Sequence, residues 1–133
     1  MLELALSEDQ EGLYQKDIAI KQDISVNYLD QIIAALKTAG LIRNAGGKKS
    51  GYVLNKPKED ISIYDVYLAF EEDLAIIGCL IEGDTCPRGK HCVLREFWCG
   101  LNNNIKDYME SMSLSQLVHN FRNKQNKGLL NKN

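Results

Sequence analysis

The residues in this chain best able to do chemistry are four cysteines, Cys79, Cys86, Cys92 and Cys99. The first three follow the pattern Cys79-x6-Cys86-x5-Cys92, in a stretch that also holds Gly83, Pro87 and Gly89. Thiols in a segment that bends at glycine and proline can converge on one centre. Such thiolates wrap iron–sulfur clusters, which commonly take four protein ligands. The spacing is not the paired CxxC of a structural zinc ribbon. Two other readings stay open at this point: isolated cysteines also serve as small buried hydrophobes, and accessible ones as redox sensors. Met1 to Asp9 carries acids rather than a basic stretch before an apolar run, so no secretory leader is expected. No run of apolar residues is long enough to span a bilayer. The expected setting is the cytoplasm, where thiols remain reduced. Enzymatic machinery is not expected, because no nucleophile–base pair is visible. Gly46-Gly47-Lys48-Lys49-Ser50 has the look of a phosphate loop but lacks its spacing.

The elements that must carry these cysteines can be read from pattern. The chain has 133 residues, 44% of them apolar, which suits one domain or a small domain with an appendage. Its net charge of −2 conceals a segregation. Gln31 to Lys58 contains no acid but six bases: Lys37, Arg43, Lys48, Lys49, Lys56 and Lys58. Glu59 to Asp84 inverts this, with eight acids and no base. The basic block is the candidate phosphate-facing surface.

Met1 to Leu6 reads as an uncapped helix, and Leu13 to Lys21 as a second, followed by a turn at Gln22-Asp23-Ile24. Ser25 is placed as the N-cap of a third helix, in which Leu29, Ile32, Ile33 and Leu36 form an amphipathic stripe. Gly40 suits its C-terminal stop. Leu41-Ile42-Arg43 and Tyr52-Val53-Leu54 then read as a hairpin with a glycine-rich, basic tip. Ser62 and Asp65 form a capping box, with Ile61 and Val66 as its staple, and predict a helix from Ser62 to about Glu72. Leu94, Phe97, Leu101, Ile105, Tyr108 and Met112 recur at nearly heptad spacing on a long helix. Ser113 with Gln116 suggests a last short helix, and the polar stretch from Asn120 is expected to be disordered.

Two helices joined by a tight turn and followed by a basic hairpin give an α+β, mostly α fold, a winged helix-turn-helix with a long C-terminal dimerisation helix. In that arrangement the N-terminal residues of the third helix face base edges in the major groove. Asn27 and Gln31 can read adenine with a bidentate amide, while Ser25 and Tyr28 can reach phosphate. Lys48 and Lys49 sit on the wing tip. The expected divisions are a DNA-binding domain over 1–75, a cysteine-bearing loop over 76–93, a dimerisation helix and short terminal helix over 94–119, and a tail over 120–133.

The run Asp17-Ile18-Ala19 … Ile24-Ser25-Val26-Asn27-Tyr28-Leu29-Asp30-Gln31 … Gly40-Leu41-Ile42 … Gly51-Tyr52, continued through Ile61 to Val66, the cysteine loop and Ser113 to Leu117, resembles the Rrf-two family of bacterial transcription regulators. The resemblance runs to about Val118. It implies a cytoplasmic DNA-binding homodimer on a palindromic operator, most often a repressor. It also implies that Cys79, Cys86 and Cys92 hold an iron–sulfur cluster, 2Fe-2S or 4Fe-4S.

Three departures from the family pattern are visible. The chain starts within what is usually the first helix, Gly46 stands where the wing usually carries an arginine, and the fourth cluster ligand has no clear counterpart. One branch of the family uses a histidine three residues after the last cysteine, and here that residue is Arg95. Another uses an acid in the N-terminal stretch that precedes the point where this chain starts, so that ligand has no counterpart here. Cys99, His91, Asp84 or the second subunit are left as candidates. The long helix, through Leu94, Phe97, Trp98, Leu101, Ile105, Tyr108 and Met112, exceeds what a small core lying before residue 75 can cover, so a two-fold dimer is expected to bury it. The competing reading is a thiol redox protein or metal carrier that does not bind DNA, and the basic wing speaks against it.

Overall fold

A computed structural model of the chain describes residues 1–7, 11–47, 50–81, 86–87 and 91–130, with side chains as far as residue 127. Six helices and a two-stranded antiparallel sheet are formed by these residues: α1 (Leu2–Leu6), α2 (Gln15–Gln22), α3 (Val26–Thr38), β1 (Ile42–Asn44), β2 (Tyr52–Leu54), α4 (Ile63–Leu68), α5 (Val93–Ser111) and α6 (Leu114–Leu130). Short 3-10 turns cover Lys58–Asp60 and Gly78–Leu80. The mostly helical fold with a small sheet is the expected winged helix-turn-helix.

Local chemistry sets the boundaries of the helix-turn-helix. Asp23 ends α2 in the left-handed region at φ +51°, with its N–H and that of Ile24 turned back onto the last carbonyls of the helix. Ser25 Oγ accepts from the Tyr28 amide at 3.2 Å and caps α3. The apolar stripe of α3 points inward as its spacing requires, with Leu29, Ile33 and Leu36 buried. Gly40, at φ +69°, closes the helix. The wing pairs Ile42 with Leu54, Arg43 with Val53 and Asn44 with Tyr52.

The α2 helix begins at Gln15 rather than Leu13, because Leu13 is drawn into the wing. Leu13 and Tyr52 exchange backbone hydrogen bonds of 3.0 and 2.9 Å, and the Gly51 amide donates to the Glu11 carbonyl at 3.1 Å. This pairing presses Gly12 (φ +78°) against Gly51. A Cβ at Gly51 would lie 2.4 Å from the Gly12 carbonyl carbon, which is backbone and cannot swing away. Gly51→Ala is therefore expected to cost about 1–3 kcal/mol by overpacking. Gly40→Ala, where a Cβ meets nothing within 4 Å, carries only the left-handed backbone penalty of roughly 1–2 kcal/mol. Denaturant unfolding checks the order of the two, and Gly51→Ala at wild-type stability would contradict the close approach.

The core corrects two expectations. It is not confined to residues before 75: Leu114 and Val118 from α6 are buried with Leu4, Ala5, Ala19, Leu29, Ile33, Leu36, Leu41, Ile42 and Ile61. Nor does disorder set in at Asn120, since α6 runs on to Leu130. Arg122, Lys124, Gln125 and Lys127 are good helix formers that lose little side-chain freedom in a helix. Phe121 is half-buried at a cavity wall shared with α1. A third difference lies in α4, which stops at Leu68 instead of Glu72. Acids at Glu71, Glu72 and Asp73 oppose the negative end of a helix. Asp73 instead accepts from the Leu74 amide at 2.7 Å and from the Tyr64 hydroxyl at 3.3 Å, turning the chain.

The two capping boxes meet each other. Ser62 and Asp65 cap α4 reciprocally, and Ser113 and Gln116 do the same for α6. Between them, the Ile63 amide donates to the Met112 carbonyl at 2.9 Å and the Leu114 amide to the Ile61 carbonyl at 2.8 Å. Ile61 and Leu114, the two largest fully buried side chains among the described residues, are thereby pinned side by side.

Candidate nucleic-acid interface and cysteine segment

The first turn of α3 leaves Asn27, Tyr28, Asp30 and Gln31 exposed above the buried Leu29. Three of the residues expected to meet DNA, Asn27, Tyr28 and Gln31, thus share one exposed helical end with Ser25, whose hydroxyl oxygen is engaged in the cap. Lys48 and Lys49, the expected wing contacts, lie outside the described residues. The base of their loop is held by the Gly46 amide donating to Ser50 Oγ at 2.8 Å and by Ser50 Oγ donating to the Gly47 carbonyl at 2.7 Å.

Two supports of this surface were not visible in the sequence. Gln15 at the start of α2 donates from Nε2 to Asp30 Oδ1 and to the Val26 carbonyl at 3.3 Å, bracing the exposed end of α3. Lys37 at the other end donates to Asn44 Oδ1 at 2.8 Å, with its ammonium 5.8 Å from the Tyr52 ring centre, and so fixes α3 to the wing. Fifteen residues separate Gln15 from Asp30 and seven separate Lys37 from Asn44, so neither pair has a helical or strand spacing that announces it.

The cysteines sit on three different local structures. Cys79 lies in the 3-10 turn at Gly78–Leu80, Cys86 is exposed in the segment that follows, Cys92 is the N-cap residue of α5, and Cys99 is on α5 itself. All four are free thiols. Thiolates suit an iron–sulfur cluster in chemical type. In arrangement, no three His, Cys, Asp or Glu side chains gather at metal-holding distance among the described residues. Of the fourth-ligand candidates, His91 is exposed beside Cys92, Cys99 is half-buried on α5, and Asp84 lies outside the described residues.

The α5 helix has two distinct faces. One packs inward: Asn102 donates from Nδ2 to the Leu74 carbonyl at 2.8 Å and accepts from the Ile76 amide at 3.1 Å, gripping the backbone that leads to Cys79. Lys106 on the same face stands 5.1 Å from the Tyr64 ring centre. Cys99, three residues before Asn102, shares this side. The other face is bare: Leu94 and Phe97 are each 62% exposed and Tyr108 67%, with Leu101 also exposed. The remaining seam candidates, Trp98, Ile105 and Met112, are half-buried within the chain. Asn102→Ala is expected to free the 74–76 segment and cost about 1–3 kcal/mol, since it leaves two backbone groups to find new partners. Amide exchange at Ile76 should accelerate, and unchanged protection there would contradict the grip.

The chain matches the family model described as Rrf2, iron-dependent transcriptional regulator, over residues 1–120. It is 32% identical over 119 residues to a putative HTH-type transcriptional regulator of Haemophilus influenzae, covering 90% of this chain and 79% of that protein. It is also 32% identical over 118 residues to the HTH-type transcriptional regulator IscR of Vibrio campbellii, covering 89% and 70%. Among solved structures it is similar to CymR, the global cysteine regulator of B. subtilis, with a TM-score of 0.71 at 26% identity over 89% of this chain and 86% of that one.

Fold and relatives together define a DNA-binding transcriptional regulator of the winged helix-turn-helix class, and not an enzyme. The chain belongs to the Rrf2 family. The reading as a carrier that does not bind DNA is thereby set aside. No described helix is long and apolar enough to cross a membrane.

Proposed function

We propose that the chain is a cytoplasmic, homodimeric repressor that grips a palindromic operator through α3 and the wing. We further propose that its hold on DNA changes with an iron–sulfur cluster, or with the redox state of the same cysteines. The observation that carries the DNA reading is the exposed first turn of α3, with Asn27, Tyr28 and Gln31 standing above a buried stripe and braced from α2 by Gln15. Asn27 and Gln31 face base edges, Ser25 and Tyr28 meet phosphate, and Lys48 with Lys49 follow the neighbouring backbone from the wing. The bare face of α5, Leu94, Phe97, Leu101 and Tyr108, supports a second copy as its cover. A two-fold pair sets the recognition helices about one DNA turn apart, which is why the operator is palindromic.

Cys79, Cys86 and Cys92 would hold the cluster, and the family description as iron-dependent supports an iron-linked input. Bound there, a cluster supplies a centre that oxidation or iron scarcity removes. The protein's own part is mechanical. Asn102 ties the segment before Cys79 to α5, and Tyr64 and Asp73 tie the same segment to α4. A cluster held next to this segment therefore bears on both the DNA-binding half and the dimer helix. A ligand shifts such an equilibrium only by its differential affinity for the two arrangements.

The test is anaerobic reconstitution of the wild type and of the triple variant Cys79→Ala, Cys86→Ala, Cys92→Ala, with iron and sulfide analysis and DNA titration. The wild type should take up iron and change its DNA affinity by roughly 5–150-fold, the usual range of allosteric coupling, while the variant does neither. A wild type that takes up no iron, or two proteins that bind DNA alike with and without it, would sink the sensing proposal.

A further inference from the structure

We propose that the C-terminal half of α6 is a second DNA-contacting surface, one that holds duplex phosphates without reading sequence. The inference rests on the reading above that the exposed end of α3 faces DNA. After Glu110 the chain contains no acid at all, yet it carries Arg122, Lys124, Lys127 and Lys132. The first three lie on α6, and residues 122–127 are exposed throughout.

The path of α6 brings this basic half to the right place. Leu114 and Val118 anchor the helix in the core. Phe121 then lines a cavity of about 460 Å³ together with Met1, Gln22 and Tyr28. Gln22 is the last residue of α2, and Tyr28 belongs to the exposed first turn of α3. By residue 121, therefore, α6 borders the same cavity as the last residue of α2 and the first turn of α3. The nine residues from there to Leu130 extend the axis by about 13 Å at 1.5 Å per residue. Lys124 and Lys127, three apart, share one face.

Lys124 and Lys127 place like charge one turn apart on the helix, which is weakly self-repelling. Phosphates relieve that repulsion, and the lysines in turn displace condensed counterions from the duplex. Lysine near a helix C-terminus also favours the helix macrodipole, which would be a purely internal role. The two roles differ in what they move: the internal one shifts stability, the phosphate one shifts the salt dependence of DNA binding. The residues between Arg122 and Lys127 other than Lys124, namely Asn123, Gln125 and Asn126, offer nothing apolar to insert into a lipid surface.

The experiment uses the full chain and the double variant Lys124→Gln, Lys127→Gln, titrated against a 30-base-pair duplex of arbitrary sequence over a range of salt. Both substitutions are on exposed positions, and a thermal melt confirms that the fold is kept. The slope of log K against log salt should fall by about one to two units, since each phosphate contact contributes roughly 0.9. Gln31→Ala, measured alongside, should keep the wild-type slope. If the wild type binds and the double variant shows the same slope, the α6 surface is overturned while the helix-turn-helix reading stands. The α6 surface is equally overturned if only the melting temperature moves, or if the lysines matter for anionic vesicles but not for DNA. If the wild type binds no DNA even at low salt, both readings fall together.

Discussion

Replacing Phe97 and Leu101 together with aspartate is expected to convert the protein to monomers and to remove tight operator binding. Both side chains are exposed on the bare face of α5, so the protomer keeps its fold. At the proposed two-fold seam each aspartate would be buried without a partner, at a cost of several kcal/mol per charge. The loss on DNA follows from avidity. Two linked recognition helices exceed one by about 10²–10⁴ when both engage, and the monomer forfeits all of it. Sedimentation checks the first step and operator titration the second. A dimer of undiminished stability would show that another surface joins the subunits. Ile105 is a poorer choice for this test, because it is half-buried within its own chain and its loss would confuse folding with association.

The second large effect lies in the core. Leu114→Ala should cost about 2–5 kcal/mol, the range for removing a fully buried leucine. Leu114 is 1% exposed and abuts Ile61 through the paired backbone hydrogen bonds that join the two capping boxes. The consequence reaches beyond stability, because α6 packs on α1 and closes one wall of the cavity beside α3. DNA affinity should therefore fall along with the unfolding midpoint. Gln125→Ala, an exposed position further along α6, should leave both nearly unchanged. A Leu114→Ala protein as stable as the wild type would mean that α6 does not belong to the core.

What could be read from the sequence was what local chemistry specifies. The stripe of Leu29, Ile33 and Leu36, the Ser25 cap and both capping boxes are settled within four residues, so their spacing announced them. The wing was legible for the same reason, through two short apolar runs around a glycine-rich, basic tip. Long-range pairings carry no such mark. Leu13 looks helical by pattern, yet it pairs with Tyr52 across thirty-nine residues of chain because two glycines permit the approach. Composition misled at the C-terminus. Asparagine and lysine repeats suggest a solvated coil, but α6 is seeded by its cap and by Leu114 and Val118 and carries the polar half onward. At the site, exposed polar residues on α3 were foreseeable. The braces from Gln15 and Lys37 and the grip of Asn102 on the backbone at Leu74 and Ile76 were not, since each joins residues that only the folded chain brings together.

The central claim is that the first turn of α3 reads base pairs, and an operator titration with Gln31→Ala tests it most directly. Wild type and variant are titrated against the operator and against a panel of duplexes that change it one base pair at a time. The wild type is expected to discriminate at each contacted position. Gln31→Ala is expected to lose about 1–3 kcal/mol of discrimination at one base pair while keeping its preferences elsewhere and its salt slope. Identical affinity and identical preferences for the two proteins across the whole panel would contradict the claim.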